Sequence, residues 1–399
     1  MQQSIKDATF LIGDAAILEA MPQATPLLFF EPRVLALLDS WSKALFAHPA
    51  SRQFPEIAAL AFWCRRSAIQ ERQAVYQGAS LRIGRGMALH IAPGNLPLNF
   101  AYSLVAGLLA GNANVVRLPS KEFVQTELVC TILRELLKDT FDDLRPYVAC
   151  LRYPAESPLT QALCAVCDAQ VLWGGDETIQ RIRAFRRKPR AVELCFANRW
   201  SICVIDGAQY LASTEKDALA RGFFNDAYLE DQRSCAAPRA LLWLGTQAAQ
   251  AQADFWPRVQ AIVQREYQMP AVLSVAKWEA FCRIAAVTPA AKWFAQNHLL
   301  VRVQLPTLLP AAMELHPGGG FFLEATADSL DALVPICGEK CQTVSQFGVA
   351  PEAFATFIRT QRPQGIDRIV KIGHTLDFSL VWDGIDLPQA LSRVVTYDG

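Results

Sequence analysis

The chain has 399 residues, of which 52% are hydrophobic and 19% are charged, a composition typical of globular proteins with large cores. Its length predicts two or three domains of about 100–200 residues each. The 38 basic residues balance the 38 acidic residues, so no overall field favours nucleic acid or an anionic membrane surface. We therefore expect no nucleic-acid partner.

The amino-terminal residues Met1-Gln-Gln-Ser-Ile-Lys6 lack the basic start and apolar core of a signal peptide. No stretch reaches the roughly 20 apolar residues that a membrane span requires. Eleven cysteines, an odd number spread over a long chain, do not have the pattern of a disulfide framework. We expect a cytoplasmic protein with reduced thiols. Cys164-Ala-Val-Cys167 has metal-like spacing but lies in an apolar helical run, which favours a structural role and no metal site.

Residues 1–80 have the pattern of helices joined by loops, and from Met87 onward apolar strand-like runs alternate with helical stretches. The predicted strands are Met87–Ala92, Asn114–Leu118, Val148–Tyr153, Gln170–Trp173 and Ala191–Phe196. The predicted helices are Asn99–Ala110, Lys121–Asp139, Ser157–Cys167 and Glu177–Arg187. This alternation indicates a parallel sheet with right-handed crossovers, in which ligands bind at the carboxyl ends of the strands.

A second α/β portion begins near Trp200. Its predicted strands are Trp200–Asp206, Arg239–Gly245, Leu300–Leu305, Gly320–Ala325 and Arg368–Gly373. The predicted fold is therefore α/β, with two Rossmann-like doubly wound parallel-sheet domains. We set their boundaries at 1–198 and 199–375, followed by a terminal segment at 376–399.

The turn Pro93-Gly94-Asn95-Leu96-Pro97 follows the first predicted strand of the parallel sheet. Its Asn95 amide is placed to hold an oxyanion, a role worth about 3–4 kcal/mol in a water-poor site. In isolation, the same residue would as readily satisfy backbone groups of the turn. The next turn places Arg117, Ser120 and Lys121 around a predicted helix start, which favours an anion, although these would equally serve as cap-region charges.

Two further features concern nucleotide binding. No GxGxxG follows any predicted strand, so the usual dinucleotide fingerprint is absent. The basic run Arg181–Arg190 would either meet phosphates of a nucleotide or CoA or form a solvated helix end, and we favour the solvated helix end.

Cys235 lies in Asp231-Gln-Arg-Ser-Cys-Ala-Ala-Pro-Arg239, between a helix-like run and a strand-like run. Its small neighbours leave the thiol approachable, and such turns are where α/β enzymes place reactive groups. Most free cysteines are small buried hydrophobic residues, so this stretch alone does not identify a nucleophile.

Four segments in order resemble the LuxC-type fatty acyl-CoA reductase family of the aldehyde dehydrogenase superfamily. They are GNLPLNF, AGLLAGNANVVRLPSKEF, FFNDAYLEDQRSCAAPR and DRIVKIGHTLDFSLVWDG, and the resemblance runs from about Ile83 to the carboxyl terminus. It implies an aldehyde dehydrogenase-like fold. Residues 1–198 would then bind NADP(H), residues 199–375 would carry the nucleophile, and residues 376–399 would form a return segment.

The resemblance also implies roles for individual residues. Asn95 matches the oxyanion-hole Asn, and Cys235 matches the nucleophile. Gly174-Gly175 matches the turn before the helix that faces the cofactor diphosphate. Glu193 matches the Glu that activates water in hydrolytic relatives, although a salt-bridged structural Glu is an equal alternative.

Three residues concern the cofactor. Arg117 falls where the superfamily usually has a Lys that touches the adenosine ribose. Ser120 replaces a Glu that grips the ribose hydroxyls in NAD-preferring members. With that carboxylate absent and Lys121 adjacent, a 2′-phosphate is tolerated, so the resemblance favours NADPH.

The chain also departs from the superfamily pattern. Cys195-Phe196 replaces the Gly-Gly after the motif Glu, and Gln232 stands three residues before Cys235 rather than two. No convincing Glu-Ile-Phe-Gly-Pro is present, and HPGGG at 316–320 stands near its expected place. We therefore expect the contacts with the cofactor to differ from those in hydrolytic relatives.

The implied activity is NADPH-dependent reduction of a fatty acyl-CoA or other acyl thioester to the aldehyde, through an acyl-enzyme on Cys235. The resemblance implies acyl-protein synthetase or acyl-transferase partners and a homo-oligomer. Two alternatives stay open. One is an NAD(P)-dependent aldehyde dehydrogenase that produces the acid, and the other is a non-catalytic scaffold in an acyl-transferring complex.

Overall fold

The computed structural model describes residues 5–76 and 80–396, which divide into two compact units. The first unit comprises the chain up to Ala197 together with the segment from Phe378 onward, and the second runs from Asn198 to Asp377. Each unit has its own sheet and its own buried apolar clusters. Within the described ranges, no helix combines the length and the apolar character that crossing a bilayer requires.

Within residues 5–76 and 80–197, the first unit has seven strands and eight α-helices. The strands are β1 (Thr9–Ile12), β2 (Arg82–Gly84), β3 (Met87–Ile91), β4 (Ala113–Arg117), β5 (Val148–Arg152), β6 (Ala169–Trp173) and β7 (Val192–Phe196). The helices are α1 (Ala15–Ala20), α2 (Pro32–Ala47), α3 (Pro55–Cys64), α4 (Arg66–Ala74), α5 (Asn99–Leu109), α6 (Val124–Asp139), α7 (Leu159–Val166) and α8 (Asp176–Arg183).

Six of these strands form one sheet in the order β1-β5-β4-β3-β6-β7. All neighbours are parallel except β1, which pairs antiparallel with β5. The predicted parallel sheet is confirmed, since the five predicted strands all form with shifts of one or two residues at their ends. The edge strand β1 was not predicted, because four residues are too few to show an alternating pattern.

Gly107 brings α5 unusually close to the sheet. A Cβ at this position would stand 1.9 Å from Asn114 Oδ1 and 2.9 Å from His90 Nε2. The buried His90 ring bonds Ser103 Oγ at 2.7 Å and Asn114 Oδ1 at 3.0 Å. Burial lowers the pKa of His90 to about 4, so the ring is neutral. Gly107 therefore permits close packing of α5 on the sheet, and His90 has a structural role there.

The second unit contains strands β8 (Trp200–Asp206), β9 (Pro238–Leu244), β10 (Lys292–Asn297), β11 (Leu300–Gln304), β12 (Phe321–Ala327), β13 (Cys341–Phe347) and β14 (Arg368–Lys371). Its helices are α9 (Gly207–Ala212), α10 (Lys216–Tyr228), α11 (Ala248–Glu266), α12 (Val272–Val287), α13 (Pro310–Glu314) and α14 (Pro351–Gln361). The sheet order is β10-β11-β12-β9-β8-β13-β14, parallel except for the antiparallel pair β10 and β11.

The inner strand β13 was absent from the predicted strands because its sequence, CQTVSQF, is rich in polar residues. Its polar side chains are nevertheless buried within the sheet. Ser345 Oγ donates to the Ile202 carbonyl at 3.4 Å, and the Thr343 amide donates to Ser201 Oγ at 3.3 Å.

The segment after Phe378 packs on the first unit. It contains β15 (Val381–Trp382), β16 (Ile385–Asp386), α15 (Leu387–Leu391) and β17 (Ser392–Val394), and β17 pairs antiparallel with β2. Phe378 stacks on Tyr102 with 4.6 Å between ring centroids, and its carbonyl accepts a hydrogen bond from Trp63 Nε1 at 2.9 Å.

Candidate active site

Three turns with predicted site residues lie at one edge of the first sheet. In the parallel strands β4, β3 and β6, Ile91 is in register with both Arg117 and Leu172. The turns that follow these strands therefore emerge side by side at the carboxyl edge, where α/β sheets bind ligands. The predicted residues on these turns are Asn95, Arg117, Ser120, Lys121, Gly174 and Gly175.

Asn95 is exposed in the turn between β3 and α5. The turn is fixed at its far end because Thr126 Oγ1 donates to the Pro97 carbonyl at 2.7 Å. No atom lies within 4 Å of the position that a Cβ on Gly94 would take, so the turn faces open space. A ligand can therefore reach the Asn95 amide.

Arg117 ends β4 and has a half-buried guanidinium. Its Nη2 donates to the Tyr153 carbonyl at 3.3 Å, and its guanidinium carbon lies 5.3 Å from the Tyr153 ring centroid. Its Nε is buried without a hydrogen-bond partner. Burial lowers the pKa of Arg117. The side chain thus retains an unused donor.

Ser120 and Lys121 are exposed, and Lys121 Nζ lies 4.7 Å from the Phe123 ring centroid. The helix α6 begins at Val124, three residues after Lys121, so the predicted helix start at Lys121 is wrong. The Lys121 charge therefore lies in an exposed loop. The dipole of α6 does not strengthen anion binding at Ser120.

Gly174 and Gly175 follow β6, and Gly175 caps the amino end of α8. Gly175 is exposed, with no atom within 4 Å of the place where a Cβ would stand. The first turn of α8 also carries Asp176 and Glu177. These carboxylates compete with an anionic ligand for the helix amino terminus.

Glu193 is held by two arginines. Arg183 Nε donates to its Oε1 at 2.7 Å, and Arg187 Nη1 bonds its Oε2. The Cys195 thiol also donates to Oε1, at 3.2 Å. Burial raises the pKa of Glu193, but the Arg183 and Cys195 hydrogen bonds and the arginine charges outweigh burial and hold that pKa below its usual value. The carboxylate is therefore ionised and engaged.

The structure does not bring Glu193 to the carboxyl edge of the sheet. Glu193 is the second residue of β7 and is in register with Gln170, whereas Phe196, at the carboxyl end, is in register with Trp173. Three strand residues, about 10 Å, separate Glu193 from Phe196. At the edge itself, the Phe196 and Trp173 rings stack with their centroids 3.9 Å apart.

Four of the six cations in the basic run Arg181–Arg190 pair with carboxylates. Besides the two arginines on Glu193, Arg181 pairs with Glu156 at 3.0 Å and Lys188 pairs with Asp168 at 2.9 Å. These pairs support the interpretation of the run as a solvated helix end rather than a phosphate site.

Cys235 lies in the second unit, in the turn between α10 and β9, and its side chain is half-buried. Its carbonyl accepts a hydrogen bond from Ser201 Oγ at 2.7 Å. Eight of the eleven cysteines are fully buried, and Cys282 on α12 is exposed. Cys235 thus combines a fixed backbone with a half-buried side chain.

Gln232 organises the turn that precedes Cys235. Its buried amide accepts hydrogen bonds from the Gly320 and Phe321 N–H groups at 2.9 and 3.0 Å. It donates to the carbonyls of Pro238 and Phe321 at 2.8 and 3.1 Å. Asp231 and Gln232 both have positive φ, 52° and 58°. This uncommon backbone is held in place by the satisfied Gln232 amide.

The Gly318–Gly320 segment is anchored to this turn. All three glycines have positive φ, and the Gly319 N–H donates to the Asp231 carbonyl at 2.8 Å. His316 Nε2 donates to the Phe321 carbonyl at 2.7 Å, and its Nδ1 accepts from the Gly318 N–H at 3.2 Å. Burial, aided by the charge of Arg239, lowers the pKa of His316 to about 3, so His316 is a neutral support of the loop.

Sequence analysis missed Arg239, which lies close enough to Cys235 for their charges to interact. Burial lowers the pKa of Arg239, and the Cys235 charge raises it. Its guanidinium donates to the carbonyls of Met313 and Arg199, both at 3.2 Å, while its buried Nε has no hydrogen-bond partner. The available signal was a lone charge in the otherwise apolar strand PRALLWL.

His374 Nδ1 bonds Asp377 at 2.7 Å on the surface, and Cys164 and Cys167 are buried. In the part of the chain that the structure describes, no three His, Cys, Asp or Glu side chains are grouped to hold a metal ion.

Comparison with known proteins identifies the family. The model of the acyl-CoA reductase (LuxC) family matches residues 64–280, more than half of the chain. The chain belongs to the LuxC acyl-CoA reductase family. The matched range includes both the Asn95 turn and Cys235.

Relatives of this LuxC-family chain are long-chain acyl-protein thioester reductases. The one from Photorhabdus luminescens is 22% identical over 334 residues, which is 78% of this chain and 63% of the relative. The one from Aliivibrio fischeri is 24% identical over 167 residues, 40% of this chain and 32% of the relative. The LuxC-family chain therefore spans less than two thirds of the length of these relatives.

Solved structures similar to this LuxC-family chain are aldehyde dehydrogenases. A Thermus 1-pyrroline-5-carboxylate dehydrogenase with bound NAD has a TM-score of 0.65 at 13% identity and covers 97% of this chain and 89% of its own. A P. syringae indole-3-acetaldehyde dehydrogenase with NAD⁺ has a TM-score of 0.66 at 12% identity and covers 99% of this chain and 87% of its own. The predicted aldehyde dehydrogenase-like α/β fold is confirmed.

Proposed function

We propose that this chain reduces a long-chain acyl thioester, acyl-CoA or acyl-protein, to the aldehyde through an acyl-enzyme on Cys235. The observation that carries the proposal is the half-buried Cys235 in a turn fixed by Gln232 and Ser201, within charge-interaction range of the half-buried cation Arg239. Family membership supports it, as do the names of the relatives. The first unit would bind the cofactor, and the second would carry the nucleophile.

In the proposed first step, the Cys235 thiolate attacks the thioester carbonyl carbon. A new carbon–sulfur bond forms, the bond to the donor sulfur breaks, and the donor leaves as a thiol after taking up a proton. Arg239 favours the reactive thiolate because an adjacent cation stabilises the negative charge. Asn95 supplies an amide donor to the oxyanion, a role worth about 3–4 kcal/mol.

The residues on the first sheet suit a phosphorylated nicotinamide cofactor. Such a cofactor, when bound, supplies the hydride that converts the acyl-enzyme to an aldehyde. Arg117, Ser120 and Lys121 provide two cations and a hydroxyl on one turn, which favours the 2′-phosphate of NADPH. Gly174 and Gly175 leave room for close backbone approach. Because carboxylates stand at the start of α8, we expect the two cations to balance most of the cofactor charge.

Aldehyde is the expected product because water activation is disfavoured. In the alternative, an aldehyde dehydrogenase producing acid, Glu193 would act as the general base. The pairing of Glu193 with Arg183 and Arg187, and its position away from the sheet edge, support an ion-pair role instead. We further propose a cytoplasmic homo-oligomer that receives acyl groups from an acyl-transferase or acyl-protein synthetase partner.

The test is NADPH and NADH oxidation with a panel of acyl-CoAs and an acylated protein, with aldehyde and acid quantified. Cys235→Ala and Cys235→Ser are expected to abolish turnover and covalent labelling by radioactive acyl-CoA. Cys282→Ala, which removes the exposed thiol, is the matched control and should retain both. Asn95→Ala should lower the rate by about 10²–10³-fold.

Three results would overturn parts of this proposal. Acid rather than aldehyde as the product would favour the dehydrogenase alternative. Labelling that survives in Cys235→Ala would place the nucleophile elsewhere. Inactivity with every thioester, including an acylated protein, would favour the scaffold alternative.

A further inference from the structure

A cavity of about 410 Å³ lies in the second unit between α11 and the β10–β11 hairpin. One face of α11 forms its floor, with residues at helical spacing. These are Ala249, Gln252, Ala253, Trp256, Pro257 and Gln260. No residue of the Cys235 turn or of the Gly318–Gly320 segment lines the cavity, so it is separate from the proposed catalytic residues.

The cavity contains an arginine that a buried carboxylate holds in place. Arg302 lines the cavity, and its Nη1 donates to Glu324 Oε2 at 3.2 Å. The other carboxylate oxygen of Glu324 accepts from Trp243 Nε1 at 2.9 Å and from Trp256 Nε1 at 2.6 Å. Glu324 is 2% exposed, whereas Arg302 is 22% exposed. The buried carboxylate therefore holds a cation that remains partly accessible.

Two amide donors beside this arginine lack partners. Gln260 is 5% exposed, and its Nε2 is buried without a hydrogen bond. Gln252 Nε2 is likewise buried without a partner. Buried N–H groups in folded proteins are normally satisfied, so two orphaned donors on one cavity wall indicate a missing acceptor.

Apart from Gln296, the remaining side chains of the lining are apolar or aromatic. The Arg302 guanidinium lies 5.4 Å from the Trp256 ring centroid and 5.3 Å from the Phe294 ring centroid. Leu300 and Pro257 add aliphatic surface. Apolar walls with a few convergent polar groups are the usual composition of small-molecule sites.

We propose that this cavity binds a small organic carboxylate with an apolar body. The ligand carboxylate would accept hydrogen bonds from Gln260, Gln252 and Arg302, and its body would pack on Trp256 and Phe294. One guanidinium has five N–H donors, so Arg302 can serve Glu324 and a ligand at the same time. This inference does not depend on the proposed reductase activity.

The test is isothermal titration of the full chain with octanoate and with benzoate, which distinguishes an aliphatic from an aromatic ligand body. Benzamide and inorganic phosphate are the comparison probes, since one lacks the charge and the other lacks the apolar body. We expect at least one of the two carboxylates to bind at least tenfold more tightly than either comparison probe. Binding should survive Cys235→Ala, which separates this cavity from the proposed active site.

Substitutions on α11 test whether the carboxylate binds in this cavity. Gln260→Glu should abolish carboxylate binding by charge repulsion, and Gln260→Leu should weaken it about tenfold. Ala253→Trp, at an exposed position of the lining, should block the cavity without disturbing the core. Gln264→Leu, at an exposed position of the same helix, is the matched control and should bind normally.

The proposal would be overturned if neither carboxylate bound at millimolar concentration, or if both comparison probes bound as well as the carboxylates. It would also be overturned if Gln260→Glu and Ala253→Trp left binding unchanged. Self-association that Ala253→Trp abolished would mean instead that a second copy of the chain covers this surface.

Discussion

At the residue scale, the chemistry of the proposed site depends on how two charged side chains are held. Arg239 is half-buried, interacts electrostatically with Cys235 and has a buried Nε without a hydrogen-bond partner. Glu193 is ionised and occupied by arginines. The first arrangement supports the proposed Cys235 thiolate, and the second supports an ion-pair role for Glu193.

Replacing Arg239 by Leu should raise the pKa of the Cys235 thiol, because removing a nearby cation disfavours the thiolate. The rate of Cys235 alkylation by iodoacetamide at pH 7 should fall about three- to tenfold, with its midpoint moved to higher pH. Mass spectrometry of the Cys235 peptide measures this, with exposed Cys282 as the internal reference. Arg239→Lys should restore much of the rate, and an unchanged midpoint in Arg239→Leu would refute the electrostatic role.

Replacing Glu193 by Gln should change thioester reduction less than about threefold and leave the aldehyde-to-acid ratio unchanged. It should cost stability at neutral pH, by less than about 1 kcal/mol because Arg183 is half exposed. A lowered folded pKa contributes stability above the unfolded pKa and loses it as pH falls, so the deficit should vanish in acid. Thermal unfolding against pH measures it.

Glu339→Gln is the matched control for this prediction, since Glu339 is exposed, lies outside the helices and forms no ion pair with another described residue. It should show no pH-dependent deficit. A large fall in acid formation in Glu193→Gln would instead support a general base.

At the element scale, the segment at 316–320 and the Cys235 turn depend on close backbone approaches. A Cβ on Gly320 would stand 2.4 Å from the Leu299 carbonyl oxygen and 2.5 Å from Tyr228 Oη, and the residue has a φ of +80°. The Gly320 N–H also donates a hydrogen bond to Gln232 Oε1. Strain at this glycine should therefore reach the turn that carries Cys235.

Gly320→Ala should destabilise the chain by about 2 kcal/mol or more, through left-handed strain and overpacking. Gly338→Ala is the matched control, because no atom lies within 4 Å of its Cβ position and its φ is not positive. Thermal unfolding compares the two variants. Equal midpoints would show that the segment at 316–320 relaxes freely around an added methyl group.

At the scale of the whole molecule, the chain is organised discontinuously. The first unit requires its last segment, since β17 completes a pair with β2 from more than three hundred residues earlier in the chain. The second unit is continuous from Asn198 to Asp377 and has apolar clusters on both faces of its sheet. Such a continuous unit with its own core is expected to fold alone.

A fragment of residues 198–377 should unfold in one cooperative transition and show dispersed amide resonances by NMR. Its Cys235 should retain the alkylation rate of the full chain, because Gln232, Arg239 and Ser201 all belong to this unit. A molten fragment would show that the second unit requires the first for stability.

The sequence by itself determined the chain positions of most strands in the two sheets, because apolar runs of strand length alternating with helices report burial on both faces. It also indicated Cys235 and the Asn95 turn, since motifs at sheet edges are local in sequence. It did not predict β13, whose buried polar residues conceal the strand pattern.

Only the tertiary structure decided which distant groups meet. The pairing of Arg302 with Glu324 behind a cavity, the position of Arg239 beside Cys235, and the arginines on Glu193 all depend on how the elements pack. The hydrophobic periodicity of a segment indicates which of its residues are buried, but it does not indicate which distant residues they contact. Partners are selected by the register of strands and the approach of helices across long loops, which no short window of sequence contains.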